Sequence, residues 1–251
     1  MGNNIRALFR FYESLNDFLP KERKKISFQH FFPSTSSIKD IIESLGVPHT
    51  EIDLILVNGQ SVNFYQQLKE GDYVSVYPVF ELFDINDKIK LRPKPLRESH
   101  FILDVHLGKL ARHLRLLGFD TIYEANYDDD DVIKIASQQK RMILTRDIGL
   151  LKRKQVSYGY WLRETNPNAQ IKEIINKFDL SKKAQPFTRC LSCNGEIHQL
   201  IDPSIVSNNI PDGIKSWQHD FYQCLTCQRI YWHGTHYEKL KSLVDKLLES
   251  Q

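Results

Sequence analysis

Between residues 5 and 80 the apolar positions change period several times. "IRALFRFY" and "KKISFQHFF" alternate or run apolar, which predicts two strands of a hairpin around Asn16–Glu22. In "TSSIKDIIESLGV" the residues Ile38, Ile41, Ile42 and Leu45 share one helical face. Thr35 or Ser36 can cap this helix, and Gly46 stops it. "EIDLILVNGQSVNF" predicts a strand, a tight turn at Asn58-Gly59 and a return strand, and "LKEGDYVSVYPVF" closes the unit with one more. The predicted order is β-β-α-β-β-β over residues 1–82.

Residues 83–99, "DINDKIKLRPKPLRES" and its neighbours, are charged, contain two prolines and carry no apolar period, as expected of a linker. A second unit spans 100–187. "FILD" predicts a short buried strand. "VHLGKLARHLRLLG" predicts a helix with Leu107, Leu110, Leu114 and Leu117 on one face and Gly118 at its end. "TIYEA", "DDDVIKIASQQK", "MILT", "IGLLKRKQ" and "SYGYWLRE" continue as strand, helix, strand, helix and strand. That alternation predicts a parallel α/β sheet. A last unit, 188–251, holds all the cysteines.

Composition narrows the class. With 41% hydrophobic and 26% charged residues, the chain is globular in type rather than disordered. A net charge of +3 is too small to identify a polyanion partner, so local clusters must do so. No stretch reaches the roughly 18 apolar residues of a membrane span, and "MGNNIRALFRF" matches neither a signal peptide nor a myristoylation site. A cytoplasmic protein without membrane contact is expected.

The second unit carries an acidic pattern. In β-α-β units helices begin at the carboxyl edge of the sheet, where ligands bind. Asp104 and Asp147 each end a predicted strand, and the run Asp128–Asp131 begins a helix. Clustered carboxylates repel one another, and a divalent cation removes that conflict. A single aspartate at a helix start also serves as an ordinary cap. Phosphate-binding glycine loops, a nucleophile elbow and a zinc-protease helix are absent from the sequence.

The final unit carries "CLSC" (190–193) and "CLTC" (224–227), two pairs about 30 residues apart. This spacing predicts a structural zinc site of Cys190, Cys193, Cys224 and Cys227. Four thiolates would close the coordination sphere and stabilise a segment with little apolar periodicity. Beyond it, "RIYWHGTHYEKL" brings Arg229, Tyr231, Trp232, His233 and His236 close in sequence. Such residues stack on and pair with single-stranded RNA, and packing of Trp232 on the zinc-bearing unit is an equal alternative.

Two resemblances sharpen these expectations. The first unit resembles the ubiquitin-like β-grasp fold, and "LVNGQSV…LKEGDYVSVYP" is similar to the sulfur-carrier proteins of thiamine and molybdopterin synthesis. Those carriers end in Gly-Gly, whereas this strand runs into Pro78-Val79-Phe80. A docking or accessory domain, dispensable for any chemistry and open to a protein partner, is therefore expected rather than a carrier. The remainder is more specific. "FILDVHLGKLARHLRLLGFDT", "DDDDVIKIASQQKRMILTRDIGLL" and "TRCLSCN…QCLTCQRIYWHGTHYEKL" resemble the Mut-seven C-terminal RNase domain family, a PIN-like nuclease domain followed by a zinc ribbon.

That resemblance implies a metal-dependent endoribonuclease in which Asp104, Asp129 and Asp147 hold Mg²⁺ or Mn²⁺ and the products carry 5′-phosphate and 3′-hydroxyl ends. Lys109, Arg112, Arg115, Arg146 and Lys152, with Trp232 and His236, are the expected RNA contacts; Arg153 and Lys154 also flank Asp147. His106 and His113 depart from the family pattern, and no fourth acid is evident beyond the guess Glu164. The alternative is a non-catalytic RNA- or ribosome-binding adaptor with a degenerate site. A third reading is an interaction scaffold led by the ubiquitin-like domain.

Overall fold

The computed structural model describes residues 4–78, 91, 99–201, 212–215 and 220–249. In chain order its elements are β1 (Asn4–Phe11), β2 (Phe28–Pro33), α1 (Ile38–Ser44), β3 (Ile52–Val57), β4 (Gln60–Val62) and β5 (Tyr73–Pro78). Then follow β6 (Phe101–Leu103), α2 (Gly108–Leu116), β7 (Thr121–Ile122), α3 (Asp129–Gln139), β8 (Met142–Thr145), α4 (Ile148–Lys152) and β9 (Gly159–Trp161). The chain closes with α5 (Pro167–Phe178), β10 (Ile197–Gln199), α6 (Asp212–Lys215), β11 (Phe221–Cys224), β12 (Ile230–Trp232) and α7 (Thr235–Leu248). Two compact units result: 1–97 with 136–161, and 98–135 with 162–251.

The first unit contains a five-stranded sheet in the order β2-β1-β5-β3-β4, with β1 and β5 parallel and the other pairs antiparallel. Phe9, Phe11, Ile38, Ile41, Ile42, Ile55, Val74 and Val76 form its core beneath α1. This is the ubiquitin-like β-grasp fold that the sequence predicts. The Asn58-Gly59 turn has φ of 50° and 83°, as a two-residue hairpin requires. The helix cap is Ser37 rather than Thr35 or Ser36, because the Ser37 hydroxyl accepts the Asp40 amide and also donates to the Asp40 carboxylate. Short 3-10 turns at Glu13–Phe18 and Lys21–Arg23 fill the hairpin connection, and a third at His49–Glu51 precedes β3. The predicted linker lies almost wholly outside the described residues. Leu91, which is described, packs on the β-grasp core and donates its amide to the Asp53 carbonyl.

The same unit holds β8 and β9, a parallel pair joined through α4. Both elements after β8 are shorter than the sequence predicts: "IGLLKRKQ" is helical only to Lys152, and "SYGYWLRE" is extended only over Gly159–Trp161.

In the second unit β6 and β7 form a parallel pair, connected by a 3-10 turn at Val105–Leu107 and by α2. The predicted strand "TIYEA" stops at Ile122, and the next residue, Tyr123, donates its hydroxyl to the Val105 carbonyl. Helix α5 is absent from the sequence reading. Its signals are Asn166 capping the Asn168 amide, Pro167 at the first helical position, and the buried stripe Ile171, Ile174 and Ile175. It packs on α2. Gly118 ends α2 at φ +90°, where an added Cβ would lie 2.1 Å from the Gln185 carbonyl oxygen. Strands β10, β11 and β12 form a small antiparallel sheet that carries the cysteine loops.

Candidate metal centres

The two C-x-x-C loops fold alike. In the first, the Cys193 amide points at the Cys190 sulfur (3.5 Å) and the Asn194 amide donates to the Cys190 carbonyl (3.0 Å). In the second, the Cys227 amide points at the Cys224 sulfur (3.5 Å) and the Gln228 amide donates to the Cys224 carbonyl (3.0 Å). The residue after each second cysteine is left-handed, Asn194 at φ 69° and Gln228 at φ 59°. The shared turn brings all four sulfurs within 4.8 Å of one another, with Cys190–Cys227 at 3.6 Å and Cys193–Cys224 at 3.4 Å. A tetrahedral zinc with bonds of about 2.3 Å sets its sulfurs about 3.8 Å apart, so the donor set fits a structural zinc.

Two neighbours tighten this cluster. Gly195 lies so close that a Cβ there would be 2.8 Å from the Cys224 sulfur and 2.5 Å from the Thr226 hydroxyl. The Tyr231 hydroxyl is 3.0 Å from the Cys190 sulfur. In the metal-free cluster, burial pushes the Cys190 thiol up, but the Tyr231 hydroxyl and the amides of Cys193 and Ser192 outweigh it and hold it at about 6. Burial pushes Cys193 up to about 12. Tyr231 therefore supports the cysteine cluster through its hydroxyl.

Arg115 requires a correction. Expected among the RNA contacts, it is 4% exposed and turned inward. Its Nε donates to the Thr121 carbonyl (2.9 Å) and its Nη1 to the Ser192 carbonyl (2.8 Å), with longer contacts to Leu191 and Tyr123. Burial lowers its pKa, opposed by the negative charge of Glu124, Cys190, Cys193 and Asp120. Zinc held by four thiolates would keep two net negative charges; this guanidinium would offset one of them, and it ties α2 and β7 to the first cysteine loop. Asn194 makes the second tie, accepting the Thr121 amide (2.8 Å) and donating to Asp120 (2.6 Å).

The expected acids lie at element ends. Asp104, 8% exposed, follows β6, and its Oδ1 accepts the His106 amide (2.9 Å). Asp147, exposed, follows β8; its Oδ1 accepts the Gly149 amide (2.6 Å), and its own amide donates to the Thr145 hydroxyl (2.8 Å). Each carboxylate therefore caps the turn that leaves its strand. Asp128 caps α3 by accepting the Asp131 amide (2.8 Å), and Asp129 is exposed in the first turn. Glu164 donates its amide to Glu173, whose second oxygen accepts the Arg163 amide. Among the described residues, the four cysteines are the one group of three or more His, Cys, Asp or Glu side chains whose ligand atoms meet at metal-binding separation.

Of the remaining expected RNA contacts, Lys109, Arg112, Arg146 and His236 are exposed. Lys152 is half-buried and donates to the Glu43 carbonyl (2.7 Å), which engages the ammonium within the protein. Trp232 packs on Phe221, so of its two expected roles the packing one is observed. His113, half-buried, has its pKa lowered by burial, partly offset by a hydrogen bond to the Pro167 backbone.

These elements define an α/β protein with an N-terminal ubiquitin-like domain and a C-terminal four-thiolate sheet. Residues 99–244 match the family described as the Mut7-C RNAse domain, and residues 5–84 match the one described as Mut7-C ubiquitin. The chain belongs to the Mut7-C RNAse domain family. Comparisons with curated proteins and with solved structures return no match.

Proposed function

We propose that the protein is a metal-dependent endoribonuclease in which Asp104, Asp129 and Asp147 together hold Mg²⁺ or Mn²⁺, although their carboxylates do not meet at ligand separation in this structure. The observation that carries this reading is the family match over residues 99–244, within which Asp104 and Asp147 occupy equivalent places at the ends of β6 and β8. Their hard carboxylate oxygens suit such an ion. Bound there, the ion supplies Lewis acidity and an activated water for hydrolysis of a phosphodiester. Asp104 and Asp147 are each held by the amide two residues on, which limits the motion of a ligand before substrate arrives. Lys109, Arg112 and Arg146, exposed on α2 and beside Asp147, supply positive charge for the RNA backbone.

In this proposal zinc is structural and the catalytic ion is separate. The working domain boundaries are 1–82, 83–99, 100–187 and 188–251, and the compartment is the cytoplasm. No helix among the described residues is long and apolar enough to cross a membrane. The test is cleavage of a labelled structured RNA pool by purified protein with Mn²⁺ and with chelator. Metal-dependent cleavage supports the proposal. RNA retention without turnover in either condition replaces it with the adaptor reading.

A further inference from the structure

Asp147 stands on a short helix of five residues, α4, between two short strands. So small a segment has little apolar surface with which to fix its own geometry. Leu150 and Leu151 bury it against β8 and β9, and further contacts come from the ubiquitin-like domain of the same compact unit.

They begin at Trp161, the last residue of β9. Its amide donates to Oε1 of Glu51 at 2.7 Å, and Glu51 is only 3% exposed. A carboxylate so buried persists only where hydrogen bonds offset its lost hydration. The Phe18 ring lies 4.9 Å from the indole ring, tilted by 44°. The ubiquitin-like domain thus grips Trp161 by its backbone and by its face. The third contact leads to the candidate site: the Trp161 indole N–H donates to the carbonyl of Arg146 at 3.2 Å, and Arg146 immediately precedes Asp147.

The other end of α4 is held from the same side. His49 joins the Glu43 carboxylate (2.6 Å) to the Val156 carbonyl (2.8 Å), and Lys152 donates to the Glu43 carbonyl (2.7 Å). The segment from Arg146 to Val156 is therefore held at Lys152 and Val156 by Glu43 and His49 directly, and at Arg146 through Trp161, which Phe18 and Glu51 grip.

We infer that Phe18, Glu51 and Trp161 are positioning residues for Asp147, so that the ubiquitin-like domain sets the metal affinity of the nuclease site through the Trp161–Arg146 contact. This rests on the proposed role of Asp147 as a metal ligand. It reverses the expectation from sequence that the N-terminal domain is dispensable for the chemistry. None of the three residues would touch metal or RNA. Their effect is to hold the peptide before Asp147 in one orientation, and a ligand held in place binds its ion more tightly than one that must be ordered first.

The experiment uses the full chain, with Trp161→Phe as the principal variant. It keeps the backbone amide for Glu51 and a ring for Phe18, and it removes the N–H that reaches Arg146 together with part of the indole ring. Glu51→Ala and Glu51→Gln form a second pair, the glutamine retaining a carbonyl acceptor. Hydrogen exchange over residues 145–152, in metal-free protein without RNA, reads the clamp itself. The Mn²⁺ concentration for half-maximal cleavage of a labelled RNA reads its effect on the site.

Trp161→Phe is expected to speed exchange and to raise the half-maximal Mn²⁺ concentration, each by about tenfold, as suits one lost hydrogen bond. Saturating Mn²⁺ is expected to restore most of the cleavage rate, and Glu51→Gln to recover most of what Glu51→Ala loses. An unchanged Mn²⁺ midpoint in Trp161→Phe overturns the inference, whether exchange accelerates or not. Asp147→Asn in the same series separates the two claims. If it needs no more Mn²⁺ than the parent and cleaves as fast, the nuclease reading of Asp147 has failed. If it is inactive while Trp161→Phe keeps the parent midpoint, the positioning inference alone has failed.

Discussion

Replacing Arg115 distinguishes sharply between what its sequence position suggests and what its surroundings show. As an exposed phosphate contact, its loss would weaken RNA binding and leave the fold unchanged. As the buried link between α2, β7 and the first cysteine loop, its loss strips donors from the Thr121 and Ser192 carbonyls, at 2.9 and 2.8 Å. Hydrogen bonds from a charged donor contribute about 1.5–3 kcal/mol each, so the two short ones together contribute about 3–6 kcal/mol. The 3.4 Å contacts to Leu191 and Tyr123 add little. Water reaching the partly buried carbonyls returns some of that energy, so Arg115→Ala is expected to cost about 3 kcal/mol. In a unit of this size that corresponds to a fall in Tm of about 6–12 °C. The assay is a melting curve on the zinc-loaded protein, run beside zinc release to a colorimetric chelator, which should accelerate. Arg115→Lys, which keeps the charge but not the fork, should fall between parent and alanine. A Tm within about 2 °C of the parent, combined with weaker RNA binding and a shallower salt dependence, would refute the structural assignment.

Other outcomes follow from single contacts. Gly118→Ala should lower stability by at least about 2 kcal/mol in a denaturant titration, because it combines a left-handed residue with a clash against the Gln185 carbonyl. Tyr231→Phe removes the hydroxyl beside the Cys190 sulfur and should weaken zinc retention by about 1 kcal/mol in a competition titration. Zinc affinity should fall as pH falls, since protons compete for the thiolates. Chelator titrations of the zinc-loaded protein from pH 8 to 5 would check this. Asp147→Ala should cost about 1 kcal/mol through loss of the cap on α4, whereas Asp147→Asn keeps an acceptor for the Gly149 amide and should melt near the parent.

The β-grasp order was legible because its signals are local: alternating strands, the Asn58-Gly59 turn and the Gly46 stop. The metal cluster was legible for the same reason, since each C-x-x-C loop folds its own turn. The charge of Arg115 suggests a surface contact, but its place on α2 does not. It stands four residues after buried Ala111 and beside Leu114, and that periodicity places it on the inward face of α2. The cap of α1 shifted to Ser37 within a run of three possible hydroxyl residues, where composition alone does not select one. Helix α5 was missed although Asn166-Pro167 and the isoleucine stripe announce it. The clamp on α4 could not be read from sequence at all. Glu51, His49 and Phe18 look like ordinary residues of the first unit, and their partners lie more than a hundred positions away.

The most direct test of the nuclease proposal is single-turnover cleavage of a labelled RNA by Asp147→Asn and parent protein, with Mn²⁺ and with chelator. The asparagine preserves the helix cap, so a loss of rate cannot be assigned to unfolding of α4. Cleavage is expected from the parent only with Mn²⁺, and at a rate lower by several orders of magnitude in the variant at equal folding, because metal activation of water is worth several kcal/mol. Cleavage by Asp147→Asn at the parent rate, or parent cleavage undiminished in chelator, would contradict it.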